Sequence, residues 1–286
     1  MNPRRQRTLI RIAAVVASAG ILGTTAALSV PTADAVPSEW MNAQATIPES
    51  NLSPQEIEAG RKVTSVPAVW DIHTDGMLVW DMPAGPDDIG ALSPSLRPGA
   101  TPTRKTAWFA GYDRSTVGPY KEFGALLQYR NSGGYRLNIP FLPVSTAESM
   151  VSAREMAGTP KVIGTFSEER FRPGNTVVAK GDGWSITARV ETLTGQSGPT
   201  PPLMADFTSL PFEQSMFRVE HATKDGRRWV QDKKVKATLP PSSLTAIRVH
   251  VTTVGSPQLR RLVPSGTYTG VYIPTAAFEI YGVNPR

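Results

Sequence analysis

Lys161 stands where a lysine can become a nucleophile. The local sequence is Gly158-Thr159-Pro160-Lys161-Val162-Ile163-Gly164. A glycine that ends a helix and a proline just beyond it place the lysine at the head of an apolar segment. If that segment is buried, the ammonium is disfavoured, its pKa falls, and the free amine can add to a carbonyl. The iminium so formed draws electrons from the adjacent carbon, which serves decarboxylation, aldol and dehydration chemistry. The competing reading is a surface lysine snorkelling from a strand end. Glu122 is the second candidate. In Gly118-Pro119-Tyr120-Lys121-Glu122, strand alternation puts Tyr120 and Glu122 on one face. A glutamate facing a barrel interior can move a proton; on an exposed face it would only be solvated.

Weaker constellations complete the inventory. Asp71, His73 and Asp75 would share a strand face and imitate a metal site, as an exposed polar face also would. His221 and His250 have no motif around them. No His-Glu-x-x-His, P-loop, dinucleotide fingerprint or nucleophile elbow occurs. The basic stretch from Lys224 to Lys236, with Trp229 inside it, reads as a solvated hairpin. The absence of cysteine excludes disulfides, thiolate metal sites and cysteine nucleophiles.

The elements that must position these residues are short and turn-rich. The chain of 286 residues has 26 prolines and 24 glycines, and its 40% hydrophobic content suffices for a core. Ser53-Pro54-Gln55-Glu56 predicts a capped helix running to Gly60, and residues 36–67 form an arm leading into a domain over 68–286. Strands are expected at 69–82, 106–112, 120–129 and 135–142, with Asn131-Ser132-Gly133-Gly134 as a turn. A helical turn is expected at 87–92 and a proline-rich loop over 93–105. Ser145-Thr146-Ala147-Glu148 reads as a capping box opening a helix that Gly158 ends. Strands at 175–180 and 184–192 flank one hairpin turn; those at 217–223 and 228–236 flank another. A loop is expected at 199–202. Strands at 243–254 and 270–281 complete the pattern.

The first 35 residues read as an export signal: Arg4, Arg5, Arg7 and Arg11, an uncharged run from Ile12 to Val30, then Ala33-Asp34-Ala35 as a cleavage site. The Arg4-Arg5 pair also suits the twin-arginine route. Cleavage would leave no stable membrane span and place the protein in the envelope or outside the cell. The rest of the chain carries 26 basic and 23 acidic residues, a net charge of +3. Neither that charge nor export suits a nucleic-acid partner.

Two segments resemble a known family. Arg154-Glu155-Met156-Ala157-Gly158-Thr159-Pro160-Lys161 resembles the acetoacetate decarboxylase signature that leads into the Schiff-base lysine. Gly118-Pro119-Tyr120-Lys121-Glu122 resembles that family's Gly-x-Tyr-x-Glu segment, in the same order. The stretch from Asn175 to Thr192 is similar too. The resemblance implies a β-rich α+β fold, a closed antiparallel β-barrel flanked by sheets and a few short helices. It implies Lys161 as the imine-forming lysine and Glu122 as the active-site acid, with Tyr120 and Arg154 at the substrate. The ligand implied is a small carbonyl compound or keto acid, in a homo-oligomer. No cofactor is called for, because the lysine is the electron sink. The sequence departs from the family at four places: Val162 replaces a second lysine, Thr159 an aromatic, and Ala107 a second acid, while the family's arginine falls near Trp80-Asp81. Arg104, Lys105 and Arg154 are the cations available to replace it. The expected function is a carbon–carbon lyase working through Lys161; the alternative is an exported small-molecule-binding protein on the same barrel.

Overall fold

Runs such as Ala107-Trp108-Phe109-Ala110 are apolar at every position. In a strand, successive side chains point to opposite faces, so such a run needs a dry environment on both sides. The computed structural model, which describes residues 43, 46–64, 69–167, 170–197, 212–217, 228–238 and 244–282, meets that need with two cores. In β1 (Val69–Pro83), Leu78, Trp80 and Met82 enter one core, and Met77 and Val79 enter the other. In β2 (Thr101–Ser115), Ala107 and Phe109 go to the first, and Trp108, Ala110 and Tyr112 to the second.

β1 and β2 continue as an antiparallel meander through β3 (Tyr120–Asn131) and β4 (Gly134–Val144). Helix α1 (Pro54–Gly60) precedes the meander and α2 (Ala147–Ala157) follows it. Then come β5 (Lys161–Ile163), β6 (Thr165–Phe166), β7 (Thr176–Gly181), β8 (Trp184–Ser197), β9 (Phe212–Phe217), β10 (Arg228–Thr238) and β11 (Thr245–Val254). Helix α3 (Pro257–Leu262), β12 (Gly266–Ile273) and β13 (Ala276–Gly282) close the described chain.

The pairings make two circuits that share β1–β4. In the larger, β5 lies parallel on β4 and runs through Gly164 into β6; β7, β8, β11 and β12 then lead back to β1. This is a nearly closed ten-strand barrel around the first core, where Trp80 stacks on Phe109 and Phe123 meets Phe109 edge-on. In the smaller circuit, β4 touches β9, β10 pairs with β13, and β13 pairs with the first half of β1. The second core lies on this side, with Met150, Val151 and Ala153 of α2 packed into it. The β-rich barrel with few short helices is the fold class expected from the sequence.

Several local expectations need correction. Ser145 does not cap α2. Its hydroxyl accepts from the Lys121 amide at 2.8 Å, and its own amide donates to Lys121 O, so it extends the β3–β4 pairing instead. Thr146 caps the helix instead, accepting from Ser149 N. The stretch expected as a loop over 93–105 carries a 3-10 turn at Pro94–Leu96, and β2 already begins at Thr101, with a register shift between Pro102 and Arg104 that accommodates the proline. The final expected strand is two, β12 and β13, with α3 before them. Of the strand expected at 217–223 the described residues include only Phe217, in β9, and 218–223 lie outside them. The export segment, the loop at 199–202, the turn at 224–227 and His221 lie outside the described residues. Among the described residues no helix is long and apolar enough to cross a membrane.

Candidate active site

Lys161 is delivered by a short chain of local causes. Thr146 starts α2, and Gly158, in the left-handed region at φ 59°, ends it. The chain then tightens, with Lys161 N donating to Thr159 O at 2.8 Å, and β5 seats on β4 with Lys161 opposite Leu142. Alternation sends Lys161 into the second core and Val162 into the barrel core. Lys161 is 3% exposed, so the buried reading holds over the snorkelling one.

Its amine meets Glu122. Lys161 Nζ donates to Glu122 Oε2 and to Ser149 Oγ, both at 2.9 Å. The rings of Trp70 and Tyr120 flank it, with centroids 5.0 and 4.9 Å from the nitrogen. Glu122 is buried as well, and its other oxygen accepts from Trp108 Nε1 and Tyr112 OH, each at 3.0 Å. Three donors from two strands, β2 and β5, therefore converge on one carboxylate. The register of β2 on β3 produces this, since Ala110 faces Glu122, Tyr112 faces Tyr120, and Trp108 faces Gly124. Gly124 is required: a Cβ there would lie 2.0 Å from Trp108 Cζ2.

Arg154 reaches the same strand by a different atom. It is 2% exposed, and its Nη1 donates to the backbone carbonyl of Lys161. Burial lowers its pKa to about 10, against the opposing charge of Glu56. Glu56 in turn accepts from Ile163 N and caps α1 at Ser53 N. Arg154 and Glu56 thus clamp β5 from the arm side, with Arg154 bonded to the main chain of Lys161.

Desolvation governs the ionisation of the cluster. Burial lowers the pKa of Lys161, and the Glu122 charge and hydrogen bond pull it back up. Burial first, and then the Glu122 charge, push Tyr112 and Tyr120 well above the ordinary phenol. Both tyrosines also face a surface depression of about 260 Å³, whose lining includes Asp75, Asp113 and Lys121. Their ring centroids are 4.7 Å apart, and both residues also touch the Lys161–Glu122 pair, Tyr112 through its hydroxyl on Glu122 and Tyr120 through its ring against the amine.

Of the residues expected at the site, Lys161, Glu122 and Tyr120 come together, and Arg154 is one residue's backbone away. Trp70, Trp108, Tyr112 and Ser149 were not anticipated; the alternation of Trp108, Ala110 and Tyr112 opposite Glu122 was the available signal. Arg104 and Lys105 belong elsewhere. Lys105 is bonded to Asp88 and Arg261 O, seven residues along β2 from Tyr112 or roughly 23 Å at the rise of a strand. Arg104 lies 3.9 Å from Asp81. The strand-face trio does not converge: His73 bonds Asp113 and Thr275, and Asp75 pairs with Arg170. Among the described residues no three His, Asp or Glu side chains gather as a metal site.

Residues 77–263 match the family model described as Acetoacetate decarboxylase (ADC). Among solved structures, the enduracididine biosynthesis enzyme MppR complexed with pyruvate is similar at 17% identity and a TM-score of 0.58, covering 82% of this chain and 94% of that one. Acetoacetate decarboxylase from Legionella pneumophila is similar at 15% identity and a TM-score of 0.57, covering 78% and 90%. An acetoacetate decarboxylase-like enzyme from Sphingomonas wittichii RW1 matches at 15% identity and a TM-score of 0.58, covering 79% and 97%. No curated protein sequence matches the chain.

Proposed function

The chain belongs to the acetoacetate decarboxylase family, and from that premise we propose that it is a carbon–carbon lyase that binds a small carbonyl compound as an imine on Lys161. The observation that carries this reading is the buried amine of Lys161 held 2.9 Å from the buried carboxylate of Glu122. An amine attacks only when unprotonated, and burial favours that form. Glu122 is placed to take the ammonium proton and to return it to the departing carbonyl oxygen, which leaves as water. Tyr112 and Trp108 hold the carboxylate in place, and Ser149 orients the amine. The iminium then stabilises negative charge on the neighbouring carbon as a carbon–carbon bond breaks. Crystals of MppR complexed with pyruvate, and with the condensation product of pyruvate and imidazole 4-carboxaldehyde, support carbonyl ligands for this fold. The export signal read from the sequence adds a site of action outside the cytoplasm.

Reductive trapping tests the reading. The mature protein is incubated with acetoacetate, pyruvate or small aldehydes, reduced with borohydride and mapped by peptide mass. The expected result is one adduct, on Lys161. A folded protein that carries no adduct there with any carbonyl overturns the proposal. That outcome would favour the second reading, a binding protein on the same barrel, which draws on the amine being engaged by Glu122, Ser149, Trp70 and Tyr120 together.

A further inference from the structure

The charges around the amine select the substrate. Glu122 is the charge that acts on Lys161, and it is also the carboxylate that acts on Tyr112 and Tyr120. Arg154 answers to Glu56 and is bonded to a backbone carbonyl. The site therefore balances one positive charge against one negative charge, behind Trp70, Trp108, Tyr112 and Tyr120, which are 2%, 2%, 8% and 4% exposed. The depression lined by the tyrosines carries no net positive charge to draw anions, since Asp75, paired with Arg170, and Asp113 stand with Lys121. The indole N–H of Trp70, whose ring lies against the amine, is buried without a hydrogen-bond partner. It offers a neutral donor for an oxygen.

We infer that this site takes an uncharged aldehyde or ketone in preference to a keto acid, with Trp70 Nε1 donating to a second oxygen of that compound. The inference rests on the imine reading above. The step balances for a neutral substrate: the ammonium and the carbonyl give an iminium and one water, and the single positive charge stays beside Glu122. Glu122 can then remove a proton from the adjacent carbon, leaving a neutral enamine and a protonated carboxyl. The enamine is the species that forms a carbon–carbon bond with a second carbonyl, and the reverse sequence cleaves that bond. A keto acid would instead bring a second negative charge into a poorly solvated site beside Glu122, where like charges repel strongly.

Matched probes test this. Acetoacetate is compared with acetoacetamide, and pyruvate with pyruvamide, which are nearly isosteric and differ in charge. Second-order rates of reductive trapping at Lys161 are measured by peptide mass on the intact wild-type protein. Each rate is divided by that of a free lysine derivative with the same probe. The amides are expected to react at least about tenfold faster than the acids after this correction. Acids that react as fast as the amides, or faster, overturn the selectivity and leave the imine reading standing. No adduct on Lys161 with any probe overturns both. Trp70→Phe keeps an aromatic face and removes the N–H; it is expected to lower the amide rates several-fold more than that of acetone, which has no second oxygen. An equal change for acetone and the amides overturns the role of Trp70.

Discussion

Lys161 is pulled in two directions, and the net is measurable. Burial lowers its pKa from the ordinary lysine value of 10.5, and Glu122 raises it by charge and by hydrogen bond. The trapping rate at Lys161 should therefore climb with pH and level off with an inflection below 10.5, because the reactive amine appears earlier than it would on an exposed lysine. Glu122→Gln removes the raising influence, so its inflection should fall further. An inflection at or above 10.5 in the wild type, or an upward move in Glu122→Gln, would contradict the desolvated site. The same substitution leaves Trp108 and Tyr112 with an amide partner, so it separates charge from hydrogen bonding better than Glu122→Ala would.

At the scale of elements, the site depends on a piece of chain that precedes the residues matched by the family model. Glu56 of α1 ties three things together: the Ser53 amide at its own cap, the Ile163 amide in β5, and the charge of Arg154. Glu56→Ala should cost about 1–3 kcal/mol, the range for leaving buried donors unsatisfied, and should slow trapping at Lys161. Glu58→Ala, on the exposed side of the same helix, should stay within about 0.5 kcal/mol of wild type. Urea midpoints with trapping rates check both; equal effects would mean that the arm only covers surface. The cap of α1 was legible because Ser53, Pro54 and Glu56 give a complete local signal. Helix α3 has the same Ser-Pro opening at Ser256-Pro257, but Leu259 stands where the acid would be, so its local signal is incomplete. Ser145 was misread because a strand amide 24 residues away competes for its hydroxyl, and such competition is invisible in a local pattern.

For the whole molecule, two interiors share β1–β4. The sequence reading expected one barrel interior, although runs such as Ala107-Trp108-Phe109-Ala110, apolar at every position, carry the trace of two; the Lys161–Glu122 pairing came from alternation and the family segments. The rest of the site depends on long-range register: β2 against β3 for Trp108 and Tyr112, and β1 beside β13 for Trp70. Hydropathy carries no information about register across turns. The two interiors also make chain neighbours independent. Val162 belongs to the barrel core and Lys161 to the other. Val162→Ala should therefore cost stability, about 1–3 kcal/mol for deleting buried methyl groups, while leaving the pH inflection at Lys161 in place. A shifted inflection would show that the two interiors communicate.

The burial of the amine also has a consequence in time. Lys161 and Glu122 are 3% and 5% exposed. A carbonyl compound meets an amine so buried only in the intervals when the side chains around it part. As its concentration rises, capture must approach a ceiling set by how often they part, and that ceiling is the same for every compound whatever its reactivity. Chemistry at this lysine would then be discriminating when the substrate is scarce and indifferent when it is abundant.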